Sequence, residues 1–369
     1  MNLQNVQITP NELNLNKTLR VKYGIDPTSP YVHLGHTVPL LLLKQFQDAG
    51  HKAVIIIGDY TALVGDPSGR DKTRASLTPE QIKSNATDYI EQISKIINIY
   101  KTEIHFNSEW FGEMFFSDIL KLASKTTVQR ILERDDFTNR LKDQTPVYMH
   151  ELLYPLMQGW DSVQVKADVE IGGTEQLFNL MMGRNLQISE GQTPQICMTL
   201  PILRGCDGKL RMGKSLNNFI GINESPDEQF AKTMSIPDSI MDEWFTLLFS
   251  KDEKQFIADE PMEAKKLLGL EIVKTYHGPI TALVACKNWE DRFSKKQIPT
   301  DIETKPITGD IVQILVDVGF AKSKSDAKRL VEQGAVSCDG EKITDMKFIP
   351  VNDVTLKVGP RRIVKLLKG

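Results

Sequence analysis

The sequence predicts an α/β protein: a parallel sheet with helical crossovers first, then a helical stretch, then a small α+β module. Three observations carry this expectation. The first third alternates strand-like and helix-like stretches, the βαβ pattern of a parallel sheet. Ala53 to Gly58 reads AVIIIG, a short run apolar on both faces, as in strands covered by helices on both sides. The length of 369 residues exceeds the size at which a single core stops growing, so two or three domains are expected.

The elements follow in chain order. Leu19 to Ile25 (LRVKYGI) alternates in the manner of a strand. His36 to Ala49 (HTVPLLLLKQFQDA) reads as a helix that Gly50 ends. Pro39 is tolerated only near a helix start, which places that start at about Gly35–His36. Residues 85 to 160 read as mostly helical. Ala167 to Leu186 reads as a second strand-to-helix turn, and Gly205 to Asn218 as a loop bearing glycine and lysine. Pro226 to about Lys296 is helical and polar, and Gln297 to Thr308 reads as a linker. In the last ~60 residues, Ser323 and Asp326 stand at capping-box spacing, Gly334 would stop the helix, and Asp339-Gly340 marks a hairpin turn.

Composition narrows the function classes. No apolar run approaches the ~20 residues of a membrane span, and the N-terminus has no signal-peptide core. Cys197, Cys206, Cys286 and Cys338 lack CxxC spacing, which argues against a zinc site or a disulfide framework and fits a reducing cytoplasm. The net charge of −3 hides an asymmetry: residues 305 to 369 carry twelve Lys/Arg against eight Asp/Glu. A basic tail on an acidic body suggests a polyanionic partner.

The chain has six histidines, and two of them fall in His33-Leu34-Gly35-His36. Metal binding would want further ligands nearby, which the neighbours Tyr31, Val32, Leu34 and Gly35 do not supply. The pair lies where a strand gives way to a helix, the edge at which open α/β sheets bind ligands and where a helix N-terminus favours phosphate. Gly35 would allow a base or phosphate to approach the backbone. A nucleotide suits this stretch, although two histidines satisfied in a sharp turn would look the same. Lys209 to Ser215 (KLRMGKS) gathers Lys209, Arg211 and Lys214 around Gly213, cations able to close over pyrophosphate charge. Gly65 to Arg74 (GDPSGRDKTR) adds Arg70, Lys72 and Arg74. Tyr154, Gln158 and Asp161 fall at i, i+4 and i+7, a polar stripe on an otherwise apolar helix that suits a small polar ligand or a buried structural network.

Taken in order, HLGH, GDPSG, YPLMQGWD, GGTEQ and RMGKS resemble the signatures of the class I tyrosyl-tRNA synthetases, and their bacterial branch in particular. The resemblance covers nearly the whole chain, and the SKSDAKRLVEQGAV…DG tail resembles the ribosomal-protein-type RNA-binding module that ends bacterial tyrosyl enzymes. It implies a Rossmann-like catalytic domain with a helical insertion over 1–225, a helical anticodon-side domain over 226–300 and an RNA-binding module over 305–369. It also implies a tyrosine–tRNA ligase that uses ATP, with Mg²⁺ accompanying the nucleotide and no dedicated protein metal site. The implied partners are L-tyrosine, ATP and tRNA(Tyr), in a cytoplasmic homodimer without membrane association. On this resemblance, Thr28 and His33 would meet the γ-phosphate, His36 the ribose, and Arg211 and Lys214 the pyrophosphate. Asp26, Gly35, Gly173, Glu175, Arg70 and Arg74 would complete the ATP site. Asp66, Tyr154 and Gln158 would hold the tyrosine ammonium, Asp161 its hydroxyl and Gln176 its carboxylate, with Gly24 beside them. Four positions depart from the common pattern: Arg211 stands for the first lysine of the mobile loop, Gly213 for its first serine, Glu175 for an aspartate, and Lys22 for a tyrosine that many members place there, although the branch resembled also has lysine at that position. Two other readings share these residues: a relative that adenylates tyrosine or a modified tyrosine outside translation, and a non-catalytic RNA-binding relative.

Overall fold

The computed structural model describes residues 3, 5–10, 15–67, 77–294, 303–359 and 362–368. The chain divides into two compact units, residues 1–286 and 287–369. Among the described residues no helix is long and apolar enough to cross a membrane.

The first unit is organised by a six-stranded sheet of β1 (Gln7–Thr9), β2 (Arg20–Ile25), β3 (Lys52–Ile57), β4 (Thr102–Phe106), β5 (Val169–Gly173) and β6 (Ile196–Leu200). Their spatial order is β1-β6-β5-β2-β3-β4, with β1 antiparallel to β6 and the remaining pairs parallel. From β2 the chain passes through α1 (Leu34–Asp48) to β3, then through α2 (Pro79–Ile93) to β4. It returns through a helical insertion that includes α3 (Phe116–Ala123) and α4 (Asp135–Lys142), and α5 (Tyr154–Gln164) leads it to β5 on the other side of β2. The direction of travel therefore reverses between β2 and β5. At such a switch point the connections leave in opposite directions and open a crevice at the carboxyl ends of the strands.

Strand periodicity separates two environments. Val21, Ala53, Ile55, Ile57, Val169 and Ile171 join α1 in the main core. Val54 and Ile56 point the other way, towards Val165 and Ala167. On this second face Lys22 lies directly opposite Glu170 across the β2–β5 pairing. Lys22 Nζ donates to Glu170 Oε1 at 2.9 Å, Ser162 Oγ at 2.8 Å and the Gln158 carbonyl at 2.9 Å. Both side chains are buried, at 0% and 1% exposure. Three acceptors for three ammonium hydrogens leave no donor unsatisfied, the condition under which a buried ion pair is tolerated.

After β5 come α6 (Leu177–Ser189), β6, and then α7 (Pro226–Met234), α8 (Met241–Phe249), α9 (Pro261–His277) and α10 (Pro279–Trp289). Trp244, Phe245, Leu268 and Ile272 from α8 and α9 are fully buried in the same core as the sheet. The second unit carries a sheet of order β7-β11-β10-β8-β9 with its own core. Its elements are β7 (Thr304–Pro306), α11 (Ile311–Asp317), α12 (Lys324–Glu332), β8 (Val336–Cys338), β9 (Glu341–Lys342), β10 (Val354–Val358) and β11 (Arg362–Leu367). Ser323 caps α12 by accepting from the Asp326 N–H at 3.2 Å, and Gly334 follows the helix at φ +65°. Asp339 and Gly340 both have positive φ, 47° and 88°, as a two-residue hairpin of the I′ kind requires.

Four details differ from expectation. The stretch 85 to 160 contains the strand β4, whose half-buried TEIHF mixes polar and apolar residues because it forms the sheet edge. α1 starts at Leu34, whose N–H is taken by the Ile220 carbonyl at 3.0 Å, so Pro39 is the sixth helical residue rather than part of the first turn. Thr304–Pro306, read as linker, pairs in parallel with β11, an interaction made from far along the chain. Gly213, whose lack of a side chain allows unusual backbone angles, is extended at φ −170°, and Asn217 takes the left-handed conformation instead.

Lys22→Met should destabilise the protein by roughly 3–5 kcal/mol, because it strands Glu170 as an uncompensated buried charge. Lys22→Met combined with Glu170→Gln should recover most of the loss. Urea denaturation followed by tryptophan fluorescence checks both, and equal midpoints for the single and double variants would contradict this account.

Candidate functional site

A cleft of about 230 Å³ opens at the carboxyl ends of β2 and β5. Gly24, Ile25 and Asp26 reach it from β2, Gly172 and Gly173 from β5, and Glu175 and Gln176 from the turn into α6. Tyr154, Gln158 and Asp161 enter from one face of α5, His36 from the first turn of α1, and Thr28 and Asp66 from the loops. The mixture of small backbone-exposing residues, carboxylates and amides suits a polar ligand with both charged and aromatic parts.

Asp161 is 4% exposed. Its Oδ1 accepts from Trp110 Nε1 at 3.0 Å, and its Oδ2 lies 3.5 Å from Asn107 Nδ2. Burial pushes its carboxyl up to about 7, while the Lys22 charge and the two donors pull the other way. The carboxylate is thus poised to take one more donor. Tyr154 is also locked in place: its hydroxyl donates to Asp26 Oδ2 at 2.8 Å, and the Thr61 hydroxyl donates to Asp26 Oδ1 at 2.7 Å. Asp26 therefore braces an α5 side chain from the end of β2. Gln176 Nε2 donates to Asp66 Oδ2 at 2.8 Å, joining two residues separated by 110 positions.

Glu175 folds back over the strand end: a Cβ added to Gly173 would sit 2.3 Å from Glu175 Oε2. A side chain at 173 would oblige the Glu175 carboxylate to move from this position. Burial holds the Glu175 carboxyl above its ordinary range, the charge of Asp66 adds to the rise, and that of Arg211 opposes it.

His33 and His36 stack with ring centroids 3.7 Å apart. His36 Nδ1 lies 3.3 Å from the His33 N–H, and the Tyr89 hydroxyl lies 3.1 Å from the same nitrogen. Burial lowers the His36 imidazole to about 4. Burial, and then the neighbouring His36, hold His33 well below its usual range. In both rings burial favours the neutral imidazole, and of the two only His36 lines the cleft. A Cβ on Gly35 would come within 3.1 Å of the His33 ring, so glycine is what permits the stacked pair.

Thus the cleft gathers Gly24, Asp26, Thr28, His36, Asp66, Tyr154, Gln158, Asp161, Gly173, Glu175 and Gln176. His33, Gly35, Arg211 and Lys214 do not line it. His33 is buried beside His36 with its Nδ1 unpartnered. The Lys214 ammonium rests 3.8 Å from the centroid of the Tyr31 ring. Arg70 and Arg74 lie outside the described residues. Sequence reasoning missed Asn107 and Trp110, which flank Asp161, and Thr61, which helps hold Asp26. The available signal was position: Asn107 and Trp110 follow the carboxyl end of β4, and Thr61 that of β3, the edge where this class of sheet binds ligands.

Among known proteins, residues 13–294 match the family described as class I tRNA synthetases (W and Y), and residues 290–357 match the SYY-like C-terminal domain of tyrosine–tRNA ligase. The tyrosine–tRNA ligase of Carboxydothermus hydrogenoformans is 47% identical, over 96% of this chain and 91% of that protein. That of Thermotoga maritima is 47% identical, over 95% and 91%. Among solved structures, the fold resembles a C-terminally truncated mitochondrial tyrosyl-tRNA synthetase of Aspergillus nidulans with a TM-score of 0.62, at 21% identity, over 75% of this chain and 86% of that one. It also resembles the tyrosyl-tRNA synthetase of Archaeoglobus fulgidus complexed with L-tyrosine, with a TM-score of 0.56 at 22% identity, over 74% and 91%. A family match across three quarters of the chain, relatives at nearly half identity and a shared fold agree: the chain belongs to the class I aminoacyl-tRNA synthetases, in their tyrosine–tRNA ligase family.

Proposed function

We propose that this chain is a tyrosine–tRNA ligase that activates L-tyrosine with ATP in the β2–β5 cleft and transfers it to tRNA(Tyr). The observation that carries the reading within the family is Asp161, a buried carboxylate at the cleft wall with room for one further donor. The phenol of tyrosine is such a donor, and phenylalanine would leave the carboxylate short of a partner. Asp66, Tyr154 and Gln158 are placed to receive the ammonium, and Gln176 to donate to the carboxylate. Gly24 leaves open backbone beside them, with nothing within 4 Å of a would-be Cβ.

ATP enters at the amino end of α1. His36 and Thr28, with His33 and Gly35 behind them, meet the nucleotide through neutral donors and the helix N-terminus. Asp26, Gly173 and Glu175 line its ribose side. The tyrosine carboxylate attacks the α-phosphorus, an O–P bond forms as the bond to pyrophosphate breaks, and the departing negative charge is met by Arg211 and Lys214. Lys214 leaves its seat on Tyr31 to do so, and Arg70 and Arg74 act on the same phosphates. No general base is needed, because the nucleophile is already ionised. The terminal ribose hydroxyl of tRNA then attacks the adenylate carbonyl and AMP leaves. Among the described residues no group of three or more His, Cys, Asp or Glu could hold a metal. Mg²⁺ accompanies the ATP phosphates, where it would offset their charge.

The helices over 226–300 form the anticodon side and the module over 305–369 grips RNA, its surplus of Lys/Arg supporting a polyanionic partner. Cytoplasmic residence follows from this role. The chain acts as a homodimer: Phe115 and Phe116, adjacent on the helical insertion, are 77% and 75% exposed, apolar surface that pairing with a second copy would cover.

Pyrophosphate exchange with ATP, Mg²⁺ and each amino acid, followed by charging of total tRNA, tests the function. Exchange with tyrosine alone and then charging is expected; exchange without charging would point to a free-amino-acid enzyme. Asp161→Asn should lower kcat/KM for tyrosine by about 10- to 100-fold, the loss of a hydrogen bond to a charged group, while the KM for ATP stays within about twofold. Phe115→Glu/Phe116→Glu should convert a dimer into a monomer by light scattering, and an unchanged mass would reject this interface.

A further inference from the structure

Arg134 belongs to the helical insertion, capping α4, yet its buried guanidinium lies against α6. Asp136 grips it through Nε at 3.0 Å and Nη2 at 2.9 Å, and it lies 5.2 Å from the Phe137 ring centroid and 5.6 Å from that of Phe178. From this fixed seat its Nη1 donates to Asn179 Oδ1 at 2.5 Å. Asn179 is wholly buried on α6, and its Nδ2 donates both to Gln158 Oε1 at 2.9 Å and to Gln176 Oε1 at 3.0 Å. Both glutamines line the cleft.

Donor and acceptor counting fixes the sense of all three amides. A guanidinium only donates, so the Asn179 carbonyl must face Arg134 and its amino group must face the glutamines. Each glutamine must then offer its oxygen to Asn179. Its own amino group is directed to a carboxylate, Gln158 Nε2 to Glu170 Oε1 at 3.2 Å and Gln176 Nε2 to Asp66 Oδ2 at 2.8 Å. Reversing any one amide would set donor against donor at one end and oxygen against oxygen at the other. One lone pair on Gln158 Oε1 and one hydrogen on Gln176 Nε2 are not taken up by these bonds. These are the groups an ammonium and a carboxylate require.

We propose that Asn179, locked by Arg134, is a positioning residue that sets Gln158 as an acceptor and Gln176 as a donor towards the amino acid. The inference rests on the tyrosine-site reading above and assigns to the helical insertion, through Arg134, a part in amino-acid recognition. Asn179 touches no substrate; it acts through the two glutamines.

Asn179→Asp tests it, since the substitution keeps size and the Arg134 contact but removes both donors. Tyrosine binding, measured by calorimetry without ATP, should weaken about 10-fold or more, as loss of two buried orienting hydrogen bonds implies. The KM for ATP in pyrophosphate exchange and the melting temperature of the Asn179→Ser variant complete the test. Asn179→Ser retains one donor, so its tyrosine affinity should fall between wild type and Asn179→Asp, with the KM for ATP within about twofold of wild type. If Asn179→Asp does not fold, Asn179→Ser carries the comparison alone. Tyrosine binding unchanged in the folded variants, or equal losses for tyrosine and ATP, would overturn this inference. A wild-type protein that binds no tyrosine would instead sink the functional reading on which it rests.

Discussion

The Lys22–Glu170 pair is the interaction on which the arrangement of the site depends. It joins β2 to β5 at the point where the sheet reverses direction, and it does so beneath the cleft. Its hydrogen bonds reach well beyond the two strands. Lys22 holds the Gln158 carbonyl and Ser162 on α5, while Glu170 also accepts from Ser162, Gln158 and Gln195. A helix that carries the recognition side chains is thereby tied by charge to the two strands that carry the backbone edge. An apolar pair could fill the same volume, but it would not fix the rotation of α5, because hydrophobic contact has little direction.

Above that pair the cleft is built so that burial moves charge where the chemistry wants it. The same desolvation raises the Asp161 carboxyl and lowers the histidine pair, since in each case the charged form is the one disfavoured. Neutral imidazoles can approach a polyphosphate as donors without presenting a fixed charge. The cations sit elsewhere, on a loop whose base is firmly held: Arg204 is bonded to Glu243, and Asn218 to Asp207. Lys214, on the same loop, lies against the face of the Tyr31 ring. Cations on such a loop can follow charge as it develops, whereas a buried cation would be committed beforehand.

The cleft draws on elements far apart in the chain. Asp161 is held by Trp110 and Asn107 from beyond β4, Tyr154 by Asp26 from the end of β2, and Gln176 by Asp66 from the loop after β3. Asp26 and Asp66 follow strand ends and are met by a helix or turn opposite, whereas Asp161 comes from α5 and is met by residues beyond a strand end. Glu175 shows how local space decides chemistry: its extra methylene is accommodated by folding back over Gly173 rather than by reaching further out.

The sequence by itself determined the local elements and their order. Period-2 and helical patterns, Gly50 after α1, the Ser323 cap and the Asp339-Gly340 turn are all short-range signals, read from neighbours along the chain. Its strand-to-helix turns pointed to the carboxyl edge of the sheet, where Gly24, Asp26, Thr28, His36, Gly173, Glu175 and Gln176 line the cleft, whereas His33, Gly35, Arg211 and Lys214 do not. What only the tertiary structure decided were the pairings made across long separations. Lys22 read as a departure from a family pattern until Glu170 was found opposite it. Asn107, Trp110 and Thr61 carry no motif, and β4 and β7 were obscured because an edge strand shows a weak pattern and is defined by its partner. Sense and orientation of the amides at Gln158, Gln176 and Asn179 likewise belong to no single stretch. They follow from a guanidinium that arrives from another helix and can only donate.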